Sequence, residues 1–341
     1  MVSTQSKIEV LSELGIKLTS QIDSEKIEEV VLQAVAKNSW FTMEHVNLAL
    51  NAIIAKYLNR ESLIEWCNNY KLQNLGVSKK VGLVLAGNIP MVGFHDILST
   101  FMCNHISLIK YSSKDDVLIP FLIDEMISIN PSVEAYFKKV DKLKDYDSVL
   151  ATGGNNTSKY FEYYFKNVPN IIRKSRSAIA VLTGRETEEE LELLGRDIFS
   201  YFGLGCRSVS KVFIPKGYDL SVLLKSLDRF REIINHNKYK NNFDYNMALF
   251  LLNKEHFLHN DCLLMIESEQ IASRIACLHY EYYDDEKTCE EKCKKNRDQI
   301  QCIVSREKIE GFQHVSFGHT QIPNLLDYAD GEDTVQFLLS I

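Results

Sequence analysis

The chain has 341 residues, 45% of them hydrophobic and 25% charged, a length and balance that suit a globular protein of two domains better than one. A net charge of −7 excludes a partner held by a broad basic face, so neither nucleic acid nor an anionic membrane surface is expected, and the longest uncharged apolar run, 81–94, is broken by Asn88 and Pro90. Eight cysteines without an apolar leader in the first 17 residues predict reduced thiols in a cytoplasmic protein.

Residues 1–79 carry apolar residues at helical spacing, first Ile27, Val30, Val31 and Val35, then Val46, Leu48, Ala49 and Ile53. They predict a helical N-terminal segment that packs on the following domain and has no chemistry of its own. From Lys80 a strand–loop–helix pattern occurs three times. Val81–Ala86 runs into Gly87-Asn88-Ile89-Pro90; Ile106–Lys110 runs into Tyr111-Ser112-Ser113; Ser148–Ala151 runs into Thr152-Gly153-Gly154. Short apolar strands, the first of them wholly so, alternating with helices predict a Rossmann-type, doubly wound parallel sheet over 80–183, with Ala178–Leu182 as its fourth strand. Ligands of such sheets lie at the carboxyl ends of the strands, which is where Asn88, Lys110, Ser112, Ser113, Thr152, Gly153 and Gly154 fall.

A second α/β domain is expected over 184–315 and a closing tail over 316–341, which either covers the active site or returns to the first domain. The run Thr187–Phe202 reads as a helix stopped by Gly203 and Gly205, with Cys206 on the corner that follows. No other cysteine lies within fifty positions of it. A thiol on a glycine-rich corner is open to approach and is a candidate nucleophile, and a helix beginning there would favour its thiolate; the alternative is a buried cysteine packed as a small hydrophobe. The charged stretch 281–298 reads as a solvated excursion. His256, His259 and Cys262, or Cys289 and Cys293, have loosely metal-like spacing, but no second pair completes either set and no metal is predicted.

Taken in order, these pieces resemble the aldehyde dehydrogenase superfamily and, within it, the LuxC family of fatty-acyl-CoA reductases. Val84–Pro90 is similar to that superfamily's strand and asparagine–proline turn, Ile106–Ser113 to its strand ending in lysine, Thr152-Gly153-Gly154 to its Thr-Gly-Ser turn, Gly205-Cys206 to its catalytic pair, and Ser316-Phe317-Gly318 to its late Pro-Phe-Gly element. Asp327-Tyr328-Ala329-Asp330-Gly331 resembles the tail of acyl-CoA reductases. The superfamily's Glu-Leu-Gly-Gly loop, whose glutamate activates water, is replaced by Arg173-Lys174-Ser175-Arg176-Ser177.

The resemblance implies an aldehyde dehydrogenase-like fold and an NADPH-dependent reductase, with NADH as the other donor. Cys206 would carry the acyl group of a fatty acyl-CoA or other acyl thioester. Asn88 would donate to the oxyanion, unless it serves only its own turn. Lys110, Ser112, Ser113, Thr152, Gly153 and Gly154 would hold the cofactor, with the basic run 173–176 favouring a 2′-phosphate. His319 could move a proton or be merely structural. A homo-oligomer and an acyl-transferase or synthetase partner are further implications. The alternatives are an acylating aldehyde dehydrogenase for short acyl groups and a non-catalytic scaffold that binds an acyl-transfer partner.

Overall fold

The structure is a computed structural model that describes residues 2–70, 72 and 76–341. It contains two compact units, one formed by residues 1–175 with 322–341 and the other by residues 176–321.

The first unit begins with four helices, α1 (Thr4–Gln21), α2 (Glu25–Lys37), α3 (Met43–Tyr57) and α4 (Arg60–Tyr70). Ser3, Ser24 and Thr42 start the first three by accepting the N–H of Ser6, Ile27 and His45, which satisfies a donor that the helix itself cannot. Beyond them, β1 (Lys80–Val84), α5 (Phe94–Met102), β2 (Ile106–Lys110), α6 (Leu118–Ile129), β3 (Phe137–Lys139), β4 (Ser148–Thr152), α7 (Asn155–Phe165) and β5 (Asn170–Arg173) build a parallel sheet in the order β3-β2-β1-β4-β5. Central Val81 and Leu83 are fully buried, as a strand covered on both faces requires. Lys7 of α1 is also fully buried; its Nζ donates to Phe101 O (2.7 Å) and Asn104 Oδ1 (3.2 Å) and pins the N-terminal helices to α5.

The C-terminal residues return to this same unit. Tyr328 Oη accepts from Trp66 Nε1 (2.8 Å) and donates to Tyr70 Oη (2.8 Å), which donates to Asp333 Oδ2 (2.7 Å). His105 Nε2 donates to Leu338 O (2.9 Å) in the short helix Thr334–Leu339.

The second unit contains β6 (Ser177–Val181), α8 (Glu188–Phe199), β7 (Val209–Pro215), α9 (Leu220–Leu227), α10 (Asn237–Asn253), β8 (Leu258–His259), β9 (Leu264–Glu267), β10 (Cys277–Tyr283), α11 (Glu286–Lys295), β11 (Ile300–Val304) and β12 (His314–Val315). Its sheet has the order β12-β11-β6-β7-β10-β9-β8, parallel except for the β8–β9 pair. Two sequence expectations are corrected here. The strand expected to close the first sheet is β6, paired with β7 and β11 in the second; β5 takes the outer place beside β4. The charged stretch 281–298 is not an excursion, because it holds the end of β10 and all of α11, whose Cys289 and Cys293 are buried in the core with Ile179, Phe213 and Ile303. Apolar residues four apart give α11 a buried stripe under its charged face.

Candidate active site

α8 starts with a reciprocal cap, in which Thr187 Oγ1 accepts from Glu190 N and the Glu190 carboxylate accepts from Thr187 N (2.7 Å). It ends at Phe199, before Gly203 is reached. Tyr201 (φ 54°, ψ 27°), Phe202 (φ 58°, ψ 26°) and Gly203 (φ 74°) are then left-handed in succession. The expected glycine stop is therefore corrected: two aromatic residues turn the chain first. Each such residue costs about 1–3 kcal/mol and persists only where its surroundings hold it. Both side chains are buried, and the Phe202 ring stacks on His236 with centroids 4.2 Å apart.

This stiff corner delivers Cys206. Ser208 N donates to Gly205 O (3.0 Å) and Gly205 N donates to Ser208 Oγ (3.2 Å), closing a turn with Cys206 and Arg207 at its centre. Of the eight cysteines, Cys206 alone is partly exposed; the other seven are buried. The chain continues into β7, so no helix begins at Cys206. Arg207 is buried and its Nη2 donates to Gln313 Oε1 (3.1 Å).

A second loop in the same unit, 316–321, meets this corner. Gln321 Nε2 donates to Ser208 Oγ (3.4 Å). Asp197 of α8 accepts from Gly318 N (2.6 Å), Thr320 N (3.0 Å) and Thr320 Oγ1 (2.8 Å). Burial pushes its carboxyl up to about 6 against those bonds. His319, exposed between them, donates Nδ1–H to Phe317 O (2.8 Å), since a carbonyl only accepts; its neutral form thus keeps the lone pair on Nε2. Asp197 was not singled out in the sequence, although an acid on the apolar side of a helix is a readable signal.

The first unit gathers the remaining candidates along one sheet edge. Val84 pairs with Lys110 on one side and Ala151 on the other, so the loops after β1, β2 and β4 leave from a single row. Asn88 is exposed on the first loop. That loop is braced by Asp115, which is buried and accepts from Met91 N (2.7 Å), and by Asn38 Nδ2, which donates to Gly87 O (3.4 Å) and Lys114 O (3.2 Å). Burial pushes the Asp115 carboxyl up to about 7. Lys110 and Ser113 are exposed and Ser112 is half-buried, its Oγ accepting from Lys114 N (3.3 Å). A Cβ on Gly87 would stand 2.6 Å from that Oγ, so the two loops touch only because residue 87 is glycine. Thr152 and Gly153 are half-buried, and Gly154 precedes α7 as a cap without a side-chain bond.

The basic run 173–176 does not form the expected phosphate cluster. Arg173 is buried, with Nη1 on Asp96 Oδ2 (2.5 Å) and Nη2 on Thr334 Oγ1 (2.8 Å). Lys174 pairs with Glu162 (2.7 Å), and Arg176 Nη1 donates to Ile300 O (3.3 Å). Charge in the sequence was visible, but the partners that engage it were not.

Two successive parallel α/β sheets of this kind make the aldehyde dehydrogenase fold. The chain matches aldehyde dehydrogenase 21 of Physcomitrella patens, solved with the product succinate, over 100% of this chain and 84% of that one, with TM-score 0.72 and 9% identity. A putative aldehyde dehydrogenase of Burkholderia cenocepacia matches over 90% and 75%, with TM-score 0.68 and 11% identity. An aldehyde dehydrogenase of Bacillus cereus, solved as its NAD+ complex, matches over 89% and 72%, with TM-score 0.65 and 11% identity. Identities this low establish the fold alone. Residues 24–223, more than half of the chain, match the model of the acyl-CoA reductase (LuxC) family, and the chain belongs to that family. The long-chain acyl-protein thioester reductase of Aliivibrio fischeri is 27% identical over 205 residues, 54% of this chain and 42% of that protein, so the chain spans less than half the length of this curated relative.

Proposed function

We propose that the chain reduces an acyl thioester to the aldehyde with a nicotinamide cofactor, through an acyl-enzyme on Cys206. The observation that carries this is the singular placement of Cys206. It is the one cysteine of eight that is not buried, on a turn entered through three left-handed residues. The Cys206 thiolate adds to the thioester carbonyl; the bond to the donor sulfur breaks, and the departing thiolate takes up the proton that Cys206 gave up. The backbone N–H of Cys206 and the side chain of Asn88 are the donors we assign to the oxyanion. Release of the aldehyde returns Cys206 to its starting state.

The first unit fits a dinucleotide on three observations. Its strand order places a switch point between β1 and β4, the loop after β1 is pressed against Ser112 at Gly87, and the first turn of α7 is uncovered by any cap side chain. Lys110 and Ser112 would hold the adenosine ribose or its 2′-phosphate, Ser113 would add a hydroxyl beside them, and Thr152, Gly153 and Gly154 would hold the pyrophosphate. The bound reduced nicotinamide supplies a hydride. The acyl chain in this reading is long, as in the name of the Aliivibrio fischeri relative. Its donor is coenzyme A or a partner protein, and the reductant is NADPH, with Lys110 in place of the engaged basic run.

The test is mass spectrometry of the protein mixed with an acyl-CoA series from two to sixteen carbons, without reductant. Acyl mass on the Cys206 peptide, greatest with the long chains, is expected. Acyl mass on Cys103 or Cys262, or none on any peptide, would overturn the reading.

A further inference from the structure

The buried carboxylate of Asp197 has no part in the chemistry above, yet it organises the loop that touches the Cys206 corner. We propose that Asp197 is a positioning residue for that chemistry: from α8 it fixes the turn 318–321 and, through Gln321, the corner that carries Cys206. This rests on the acyl-enzyme reading and adds to it a residue outside the reacting atoms.

Asp197 is 1% exposed, and Thr320, which meets it with both N–H and hydroxyl, is fully buried. A carboxylate taken out of water is unfavourable by several kcal/mol unless donors surround it. Here three donors do, and two of them are the N–H groups of Gly318 and Thr320, on either side of His319. The turn lies directly on α8, for Gly318 is left-handed (φ 78°) and a Cβ there would meet Leu193 Cδ2 at 2.8 Å. One residue beyond Thr320, Gln321 Nε2 reaches Ser208 Oγ (3.4 Å), the same oxygen that accepts from Gly205 N (3.2 Å). Gly205 and Ser208 are the two ends of the turn whose centre is Cys206 and Arg207. The route is therefore continuous within one unit: Asp197, turn, Gln321, Ser208, Cys206. A displaced nucleophile loses rate steeply, on the order of a hundred-fold for about 1 Å. Position, more than binding, is what this route controls.

The experiment uses the full chain with Asp197→Asn, Gln321→Ala and the double variant, each checked for folding by its thermal transition. Two rates are read for Cys206: acylation by a long-chain acyl-CoA, with its half-saturation concentration, and alkylation by iodoacetamide mapped to the Cys206 peptide. In Asp197→Asn the amide NH2 faces an N–H of the turn, so one acceptor is lost while shape is kept. The acylation rate is expected to fall about ten-fold or more, with half-saturation within about two-fold. Gln321→Ala should give a smaller fall in the same rate, and the double variant should be no slower than Asp197→Asn, because both act on one route. Should Asp197→Asn fail to fold, Gln321→Ala decides alone, since its side chain is only half-buried. Wild-type rates in a folded variant, or effects that multiply in the double, would overturn the proposal. If the wild type takes no acyl group, it is the proposed function that falls, and the alkylation rates still judge Asp197.

Discussion

The two units place their candidate residues at opposite ends of their sheets. In the first, Asn88, Lys110 and Thr152–Gly154 follow the carboxyl ends of β1, β2 and β4; in the second, Cys206 precedes the amino end of β7. Both arrangements rest on a buried aspartate, Asp115 beneath the Asn88 loop and Asp197 beneath the turn next to Cys206. Under the proposed function the difference follows from the task. Holding a dinucleotide needs loops and helix starts fanned along a sheet edge, which parallel strands supply at their carboxyl ends. A nucleophile needs one stiff corner, and the second unit makes it from left-handed Tyr201, Phe202 and Gly203.

If this division holds, variants at the two ends fail differently. The largest effect belongs to Cys206→Ser, expected to abolish acyl labelling and to lower turnover by roughly a thousand-fold or more, read by intact mass and aldehyde formation. Asn88→Ala should lower kcat by about a hundred-fold while the dissociation constant of the nicotinamide cofactor changes little. A normal kcat would return Asn88 to a turn residue. Lys110→Ala should raise the KM for NADPH about ten-fold, the loss of one charged hydrogen bond, and leave kcat within about two-fold.

The aspartate braces make a pH prediction. The Asp115 carboxyl is raised from 3.8 to about 7, chiefly by burial, so the folded chain holds that proton more tightly than the unfolded one. Its contribution to stability is full below the unfolded value and is lost as pH rises through about 7. Urea unfolding of the wild type and Asp115→Asn at about pH 5 and pH 8 should show a smaller pH dependence in the variant; an unchanged dependence would contradict the shift. The smallest effect is expected at the start of α8, where Thr187→Ala removes the cap for about 1 kcal/mol, a melting temperature lower by a few degrees, with acylation rates intact.

The first unit was largely legible in the sequence because its central strands β1, β2 and β4 are short, mostly apolar and each followed by a polar loop. The helices of the three strand–loop–helix repeats are α5, α6 and α7. Edge strands β3 and β5 were not read, since Phe137-Lys138-Lys139 and Asn170–Arg173 lack that apolar signature. In the second unit the cysteine was found by its glycines, but the left-handed pair before it was not, because Tyr and Phe give no local warning of that conformation. Cys289 and Cys293 were obscured by the lysines and glutamates around them. Arg173 looked like a phosphate ligand until tertiary structure supplied Asp96 and Thr334. Partners distant in sequence, such as Asp197 with Thr320, lie beyond any local pattern.

The central claim, an acyl-enzyme on Cys206 that is reduced and not hydrolysed, is tested most directly by the lifetime of the acylated protein. No carboxylate occurs in the run 173–177, so none is available there to activate water. Acylated protein, isolated and timed in buffer, with NADPH and with coenzyme A, should discharge quickly with either reagent and slowly in buffer alone. Rapid decay in plain buffer would mean that another residue supplies a base, His319 being the first to replace, and would contradict the account.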